Sequence, residues 1–316
     1  MGNYDTMQSN KTMKRSFLSK LHTNGRYCII GALLLFPGVL LYQLLVLVPQ
    51  GYGGALVSPG ATLLWINTHN LQFLGYRLLL ILGFALMISL PFTLFRIIVA
   101  QEILGTDENE DDEEDEDKVD DEEELEGDGD ETDDEELEDD NETNGQEPEE
   151  NDKSGSDASG MPAFAWRGRG YAVIAAWGGF FGLFCTVVGT LASTVYLVIS
   201  AVSASTPNTL PDNFAAFSGT LAFITYTMGG GFLAIACLFF GMVIARRGRN
   251  LWPDVWVLFS YMALALAALL SGSAVEVAFA PNAGNAGQAI LTTPAILFFA
   301  IWVLWFGIML VRLQPE

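Results

Sequence analysis

Outside one stretch, this 316-residue sequence has almost no acidic side chains: Asp5, Asp212, Asp254, Glu276 and Glu316 complete the set. Histidine is scarcer, with only His22 and His69, and neither an H-E-x-x-H run nor a zinc-ligand spacing occurs. Cysteine is limited to Cys28, Cys185 and Cys237, each alone in an apolar run, which excludes a disulfide-framed secreted domain. They read as small buried hydrophobes. No Gly-Lys pair exists, so there is no Walker A loop to cradle a nucleotide. With no nucleophile–base set either, the sequence predicts a protein that is not an enzyme, with no cofactor and no metal. Charge is also missing from whole windows of more than 20 residues, which rules out a single soluble domain.

What is present divides sharply. Of the 38 acidic residues, 33 fall between Glu102 and Asp157, with only Lys118 and Lys153 among them, so that stretch carries −31. The rest of the chain is basic, at +8, and the whole is −23. The protein is an apolar, mildly basic body with a polyanionic insert.

Six apolar windows are long enough to cross a hydrocarbon core, which takes about 20 helical residues. They run approximately Tyr27–Val48, Leu78–Ala100, Tyr171–Val202, Phe217–Ala245, Pro253–Ala280 and Pro294–Val311. Helices are expected because an isolated span must satisfy its own backbone in lipid, and barrel-type alternation is lacking. The fold class is therefore an all-α integral membrane protein, with six transmembrane helices split 2 + 4 by a long disordered acidic cytoplasmic loop. The divisions are residues 1–26, a basic N-terminus; 27–101, a two-helix unit; 102–165, the insert; and 166–316, a four-helix unit.

Local signals refine the spans. Thr293-Pro294 reads as an N-cap and first helical residue, Trp252-Pro253-Asp254 as the start of the fifth span, and Pro49 as the end of the first. Pro37-Gly38 and Pro91 are expected to kink the first two spans. Arg77 and Arg96 are 19 residues apart, about 28 Å at the helical rise, so both can snorkel to opposite surfaces. The fourth window is longer than needed and is expected to tilt, or to break at Gly229-Gly230-Gly231. The first window outlasts a signal-peptide core and reads as a retained anchor.

Orientation follows from Lys and Arg. Lys11, Lys14, Arg15, Lys20 and Arg26 precede the first span; Arg167 and Arg169 precede the third; Arg246, Arg247 and Arg249 follow the fourth; and Arg312 ends the sixth. The opposite loops hold none before Arg77. The positive-inside rule then puts both termini and the insert in the cytoplasm, with the protein in the cell membrane. The neutral loop from Pro49 to Gly75 is expected to lie, ordered, on the other helices; a re-entrant cap is the alternative. The insert has too little apolar surface to fold and is expected to be disordered, spanning about 45 Å even as a neutral coil.

Two constellations could carry function. Gly178, Gly182, Thr186, Gly189 and Ser193 line one face of the third span, and small residues at that spacing let a neighbouring helix approach closely. The face is expected to pack within the molecule; a substrate path or dimer face is the other reading. Arg77 and Glu276 fall at similar depth near the outer surface, where they can pair or reach separate headgroups. The string Gly127-Asp128-Gly129-Asp130 lies in the insert and not in a span, so its likeness to an intramembrane protease motif is chance. The expected function is that of a non-catalytic multi-pass protein whose acidic loop binds basic proteins or cations. The alternative is a small transporter or channel component moving a small solute or ion. The lipid bilayer is an expected partner, nucleic acid is not.

Overall fold

The computed structural model describes residues 19–52, 58–100, 163–204, 206, 210–279 and 290–312, and the regular structure among them is helical. In chain order the helices are α1 (Ser19–Gln50), α2 (Pro59–Thr68), α3 (Asn70–Ala100), α4 (Ala163–Ser203), α5 (Phe214–Arg246), α6 (Asp254–Phe279) and α7 (Thr292–Arg312). All but α2 are long and apolar enough to cross a membrane. In each of those six, between 17% and 50% of the most apolar window is buried inside the protein. The remainder presents large apolar side chains outward, such as Leu45, Val202 and Phe279. Water does not tolerate an apolar surface of that extent, whereas lipid covers it at no cost. The chain is a multi-pass helical membrane protein.

The spans on either side of the insert pack in one unit, drawn from Met1–Val99 and Arg169–Glu316. Its main core takes residues from all six spans, including Cys28, Leu94, Ala175, Phe240, Phe259, Trp302 and Phe306. The expected disorder of the insert falls on residues outside the described ones, and α4 begins at Ala163, inside the stretch that composition had given to the insert.

Proline and glycine leave readable marks. Pro37 lies within a π-helical stretch, Leu34–Gly38, so α1 accommodates it by widening its turns. Pro91 has no N–H to give, and α3 loses regular geometry at residues 87–89, where Met87 N–H donates to Phe84 O (3.1 Å) and Leu90 N–H to Met87 O (2.9 Å). At the end of α1, Gly51 takes φ +86°, the left-handed conformation that glycine adopts without strain. Its N–H donates to Val48 O (3.0 Å) and that of Tyr52 to Leu47 O (3.1 Å), the paired bonds of a Schellman cap. This cap turns Tyr52 back over the bundle.

Two expectations need correction, and a third gains detail. The fourth span does not break at its glycine triplet: the helix is continuous there, and the irregularity is a π-helical stretch just before it, Phe223–Met228. The last helix starts at Thr292, so Thr293 lies inside the helix and is not its cap. The loop between the first two spans contains a helix of its own, α2, started by Ser58, whose Oγ accepts from Ala61 N–H (3.2 Å), with Pro59 at the first position. Within it Leu63, Trp65 and Ile66 are buried in a second core with Leu47, Phe73, Ala201, Ala204 and Phe214. The described part of that loop lies on the other helices, as the ordered-loop reading held.

Candidate functional site

The small-residue face of α4 lies against α5. A Cβ placed on Gly182 would stand 2.8 Å from Leu233 N and 3.0 Å from Gly229 O, closer than real side chains come to backbone. On Gly178 it would meet Phe232 O at 3.4 Å, an ordinary contact, so closest approach is at Gly182. One turn on, the fit becomes reciprocal. The Thr186 hydroxyl occupies the space in front of Gly229, and the Thr225 hydroxyl that in front of Gly189. Ser193, a turn further along α4, is half-buried.

Beside this seam the bundle opens into a cavity of about 50 Å³, room for a few waters at a minimum of about 10–15 Å³ each. Five spans line it. Hydroxyls come from Thr186 and Thr190 on α4, Thr225 and Tyr226 in the π-helical stretch of α5, Ser273 on α6 and Thr292 on α7. Leu80 and Phe84 of α3 and Phe299 of α7 supply apolar wall. Thr186 donates its proton to Gly182 O (2.9 Å) and Thr225 to Leu221 O (2.7 Å), which leaves their oxygens as acceptors. Ser273 and Thr292 share a hydrogen bond of 2.8 Å that ties α6 to α7.

Arg77 and Glu276 have different partners. Glu276 accepts from the backbone N–H groups of Ile290 (2.8 Å, through Oε1) and Leu291 (2.9 Å, through Oε2), so a carboxylate from α6 caps the start of α7. That site is favourable for a negative charge, since the first amides of a helix have no partner within it and sit at its positive end. Arg77 instead lies over aromatic rings, with its guanidinium carbon 5.2 Å from the Phe73 centroid and 5.9 Å from that of Tyr76. It is half-buried, and its Nε is a buried donor without an acceptor among the described residues.

Around Arg77 the Schellman cap, α2 and the first turns of α3 form a polar and aromatic cluster. Tyr52 packs on Trp65 at 4.9 Å and approaches Tyr76 at 6.4 Å, Trp65 stacks on His69 at 4.8 Å, and Trp65 Nε1 donates to Gln50 O (2.7 Å). Gln50 Oε1 and Asn70 Oδ1 are, like Arg77 Nε, buried and unsatisfied. Burial pushes the Tyr52 hydroxyl above its ordinary pKa; Arg77 opposes that shift and Tyr226 adds to it. Tyr226 itself stands in the cavity wall.

Sequence reasoning singled out Arg77, Glu276 and the small face. It missed the hydroxyl cavity, because Thr186, Thr190, Thr225, Ser273 and Thr292 each look unremarkable within their own span. It missed the capping role of Glu276 because that joins residues on different helices. Comparison with known proteins finds no matching family model, no matching curated protein and no matching solved structure. Among the described residues, no group of three or more His, Cys, Asp or Glu is placed to hold a metal ion.

Proposed function

We propose that this chain is a non-catalytic protein of the cell membrane whose acidic insert faces the cytoplasm, with both termini, and gathers basic proteins or cations. The observation that carries this reading is the net −31 between Glu102 and Asp157 in a chain that is otherwise basic. A segment so charged concentrates counterions and attracts polycations. An anionic inner leaflet repels it, which holds it out in the cytoplasm. The test is an affinity pull-down in mild detergent with the full chain and with a chain lacking residues 106–158. Retention of basic proteins by the full chain alone is expected, and equal retention by both would defeat the reading.

A second reading, passage or binding of a small solute by the bundle, is favoured by the hydroxyl-lined cavity between five spans. Such sites in membrane bundles combine apolar walls with a few convergent polar groups. Liposomes carrying the protein should then be permeable to a small polar solute such as glycerol, and replacing Thr190 with Val should reduce that permeation.

A further inference from the structure

Two observations about Arg77 have no explanation in packing alone. A half-buried guanidinium has no carboxylate partner among the described residues, and its Nε is a buried donor left unsatisfied. A buried donor without an acceptor is costly. The one carboxylate of α6 at similar depth is occupied with the Ile290 and Leu291 amides just before α7.

Position adds a third observation. Arg77, Leu80 and Phe84 are spaced by three and four residues, which puts them on one face of α3, and Leu80 and Phe84 line the cavity. Arg77 therefore stands one turn beyond the cavity toward the α2 end. Tyr76 lies beside it and Tyr52 approaches Tyr76, while Tyr226 stands in the cavity wall.

We propose that Arg77 is the centre of an oxyanion-binding site at the α2 end of the bundle, leading into the hydroxyl-lined cavity. The inference rests on the solute-binding reading and names the chemical class bound: a carboxylate or phosphate oxygen pair. A guanidinium offers planar, paired donors that match such a group, and Arg77 Nε is one of those donors with no competing acceptor. Tyr76, with its ring 5.9 Å from the guanidinium carbon, and Tyr52, 6.4 Å from Tyr76, border this site, and among the described residues no carboxylate pairs with Arg77. The oxyanion has two possible sources, a free small carboxylate or a lipid phosphate, and both share this chemistry.

The test uses the full chain in maltoside micelles, with sodium acetate titrated at constant ionic strength set by sodium chloride, and thermal stability as the readout. Acetate should raise the melting temperature saturably. Arg77→Gln should weaken the half-saturating concentration by about tenfold or more, as expected for a lost hydrogen bond to a charged group. Arg77→Lys should retain part of the effect, and Arg96→Gln, on the exposed end of the same helix, should leave it unchanged. If Arg77→Gln does not fold, Tyr52→Phe replaces it, with a severalfold weakening expected. A second titration adds phosphatidylglycerol to the micelles. Stabilisation by that lipid alone, lost in Arg77→Gln, identifies the oxyanion as a headgroup and supports the site. Absence of an Arg77- or Tyr52-dependent effect in both titrations overturns it. Glycerol permeation measured in parallel separates the two claims. An acetate effect without permeation keeps the site and removes passage, and permeation without an acetate or lipid effect removes the site.

Discussion

At one end of the bundle Lys20, Arg26, Arg96, Arg246 and Arg312 are all exposed, free to meet solvent or headgroups. At the α2 end Arg77, on the same helix as Arg96, is half-buried over Phe73 and Tyr76. The two arginines differ in their surroundings and not in type. Helix α3 ends shortly after Arg96, whereas two further turns precede Arg77, and the loop helix α2 packs against them. A cation in the first setting is a topology signal, and in the second it is part of a site. The α2 end also holds the Glu276 cap and three of the buried unsatisfied polar atoms, Gln50 Oε1, Asn70 Oδ1 and Arg77 Nε.

The largest expected effect breaks the tight seam next to this polar end. Gly182→Leu places carbon where Leu233 N and Gly229 O already stand, so α4 and α5 must separate. A loss at or above the roughly 1–3 kcal/mol typical of overpacking is expected, read as a lowered melting temperature in detergent. Leu191→Phe, at a position 51% exposed, should change little. Equal losses for the two would show that the seam does not hold these helices together.

Next in size is the α7 cap. Glu276→Ala removes the acceptor of the exposed Ile290 and Leu291 amides, at about 0.5–2 kcal/mol, as for a lost helix cap. Glu276→Gln retains one carbonyl oxygen and should cost less. Amide hydrogen exchange at residues 290 and 291 checks the assignment directly, since both should exchange faster in the alanine variant.

Most of the spans were legible in the sequence because length and apolarity are summed properties of a window. The six expected windows and the six helices agree to within several residues at each end. Pro91 and Pro37 marked real irregularities because a missing N–H acts locally. The site was only half legible. Arg77 stands out as a lone cation, but the rings beneath it, Phe73 and Tyr76, belong to the first turns of α3, ahead of the apolar window that starts at Leu78. Gly229-Gly230-Gly231 misled in the opposite direction. Glycine weakens an isolated helix, yet here Gly229 receives the Thr186 hydroxyl, and close packing against α4 keeps the helix continuous.

A smaller effect is expected from the hydrogen bond between α6 and α7. Ser273→Ala should cost about 1 kcal/mol, a typical value for one such bond, and Thr292→Val a similar amount. The double variant should cost less than the sum of the two, because each single change already removes the shared bond.

The smallest effect sharpens the contrast between Arg77 and Glu276. Because their partners differ, Arg77→Leu and Glu276→Leu should add, with a coupling under about 0.5 kcal/mol in a double-mutant cycle. A larger coupling would mean that the two charges act as a pair, and would contradict the proposed oxyanion site.

The measurement closest to the central claim concerns which end of the bundle faces outward. Cysteine probes would be introduced singly at Ser58, Asn213, Ser154 and Gly248 in a background with Cys28, Cys185 and Cys237 replaced by alanine. Intact cells are then treated with a membrane-impermeant thiol reagent. Six spans with the acidic insert in the cytoplasm predict labelling at Ser58→Cys and Asn213→Cys, and at Ser154→Cys and Gly248→Cys only after the cells are permeabilised. Labelling of Ser154→Cys in intact cells would contradict the account.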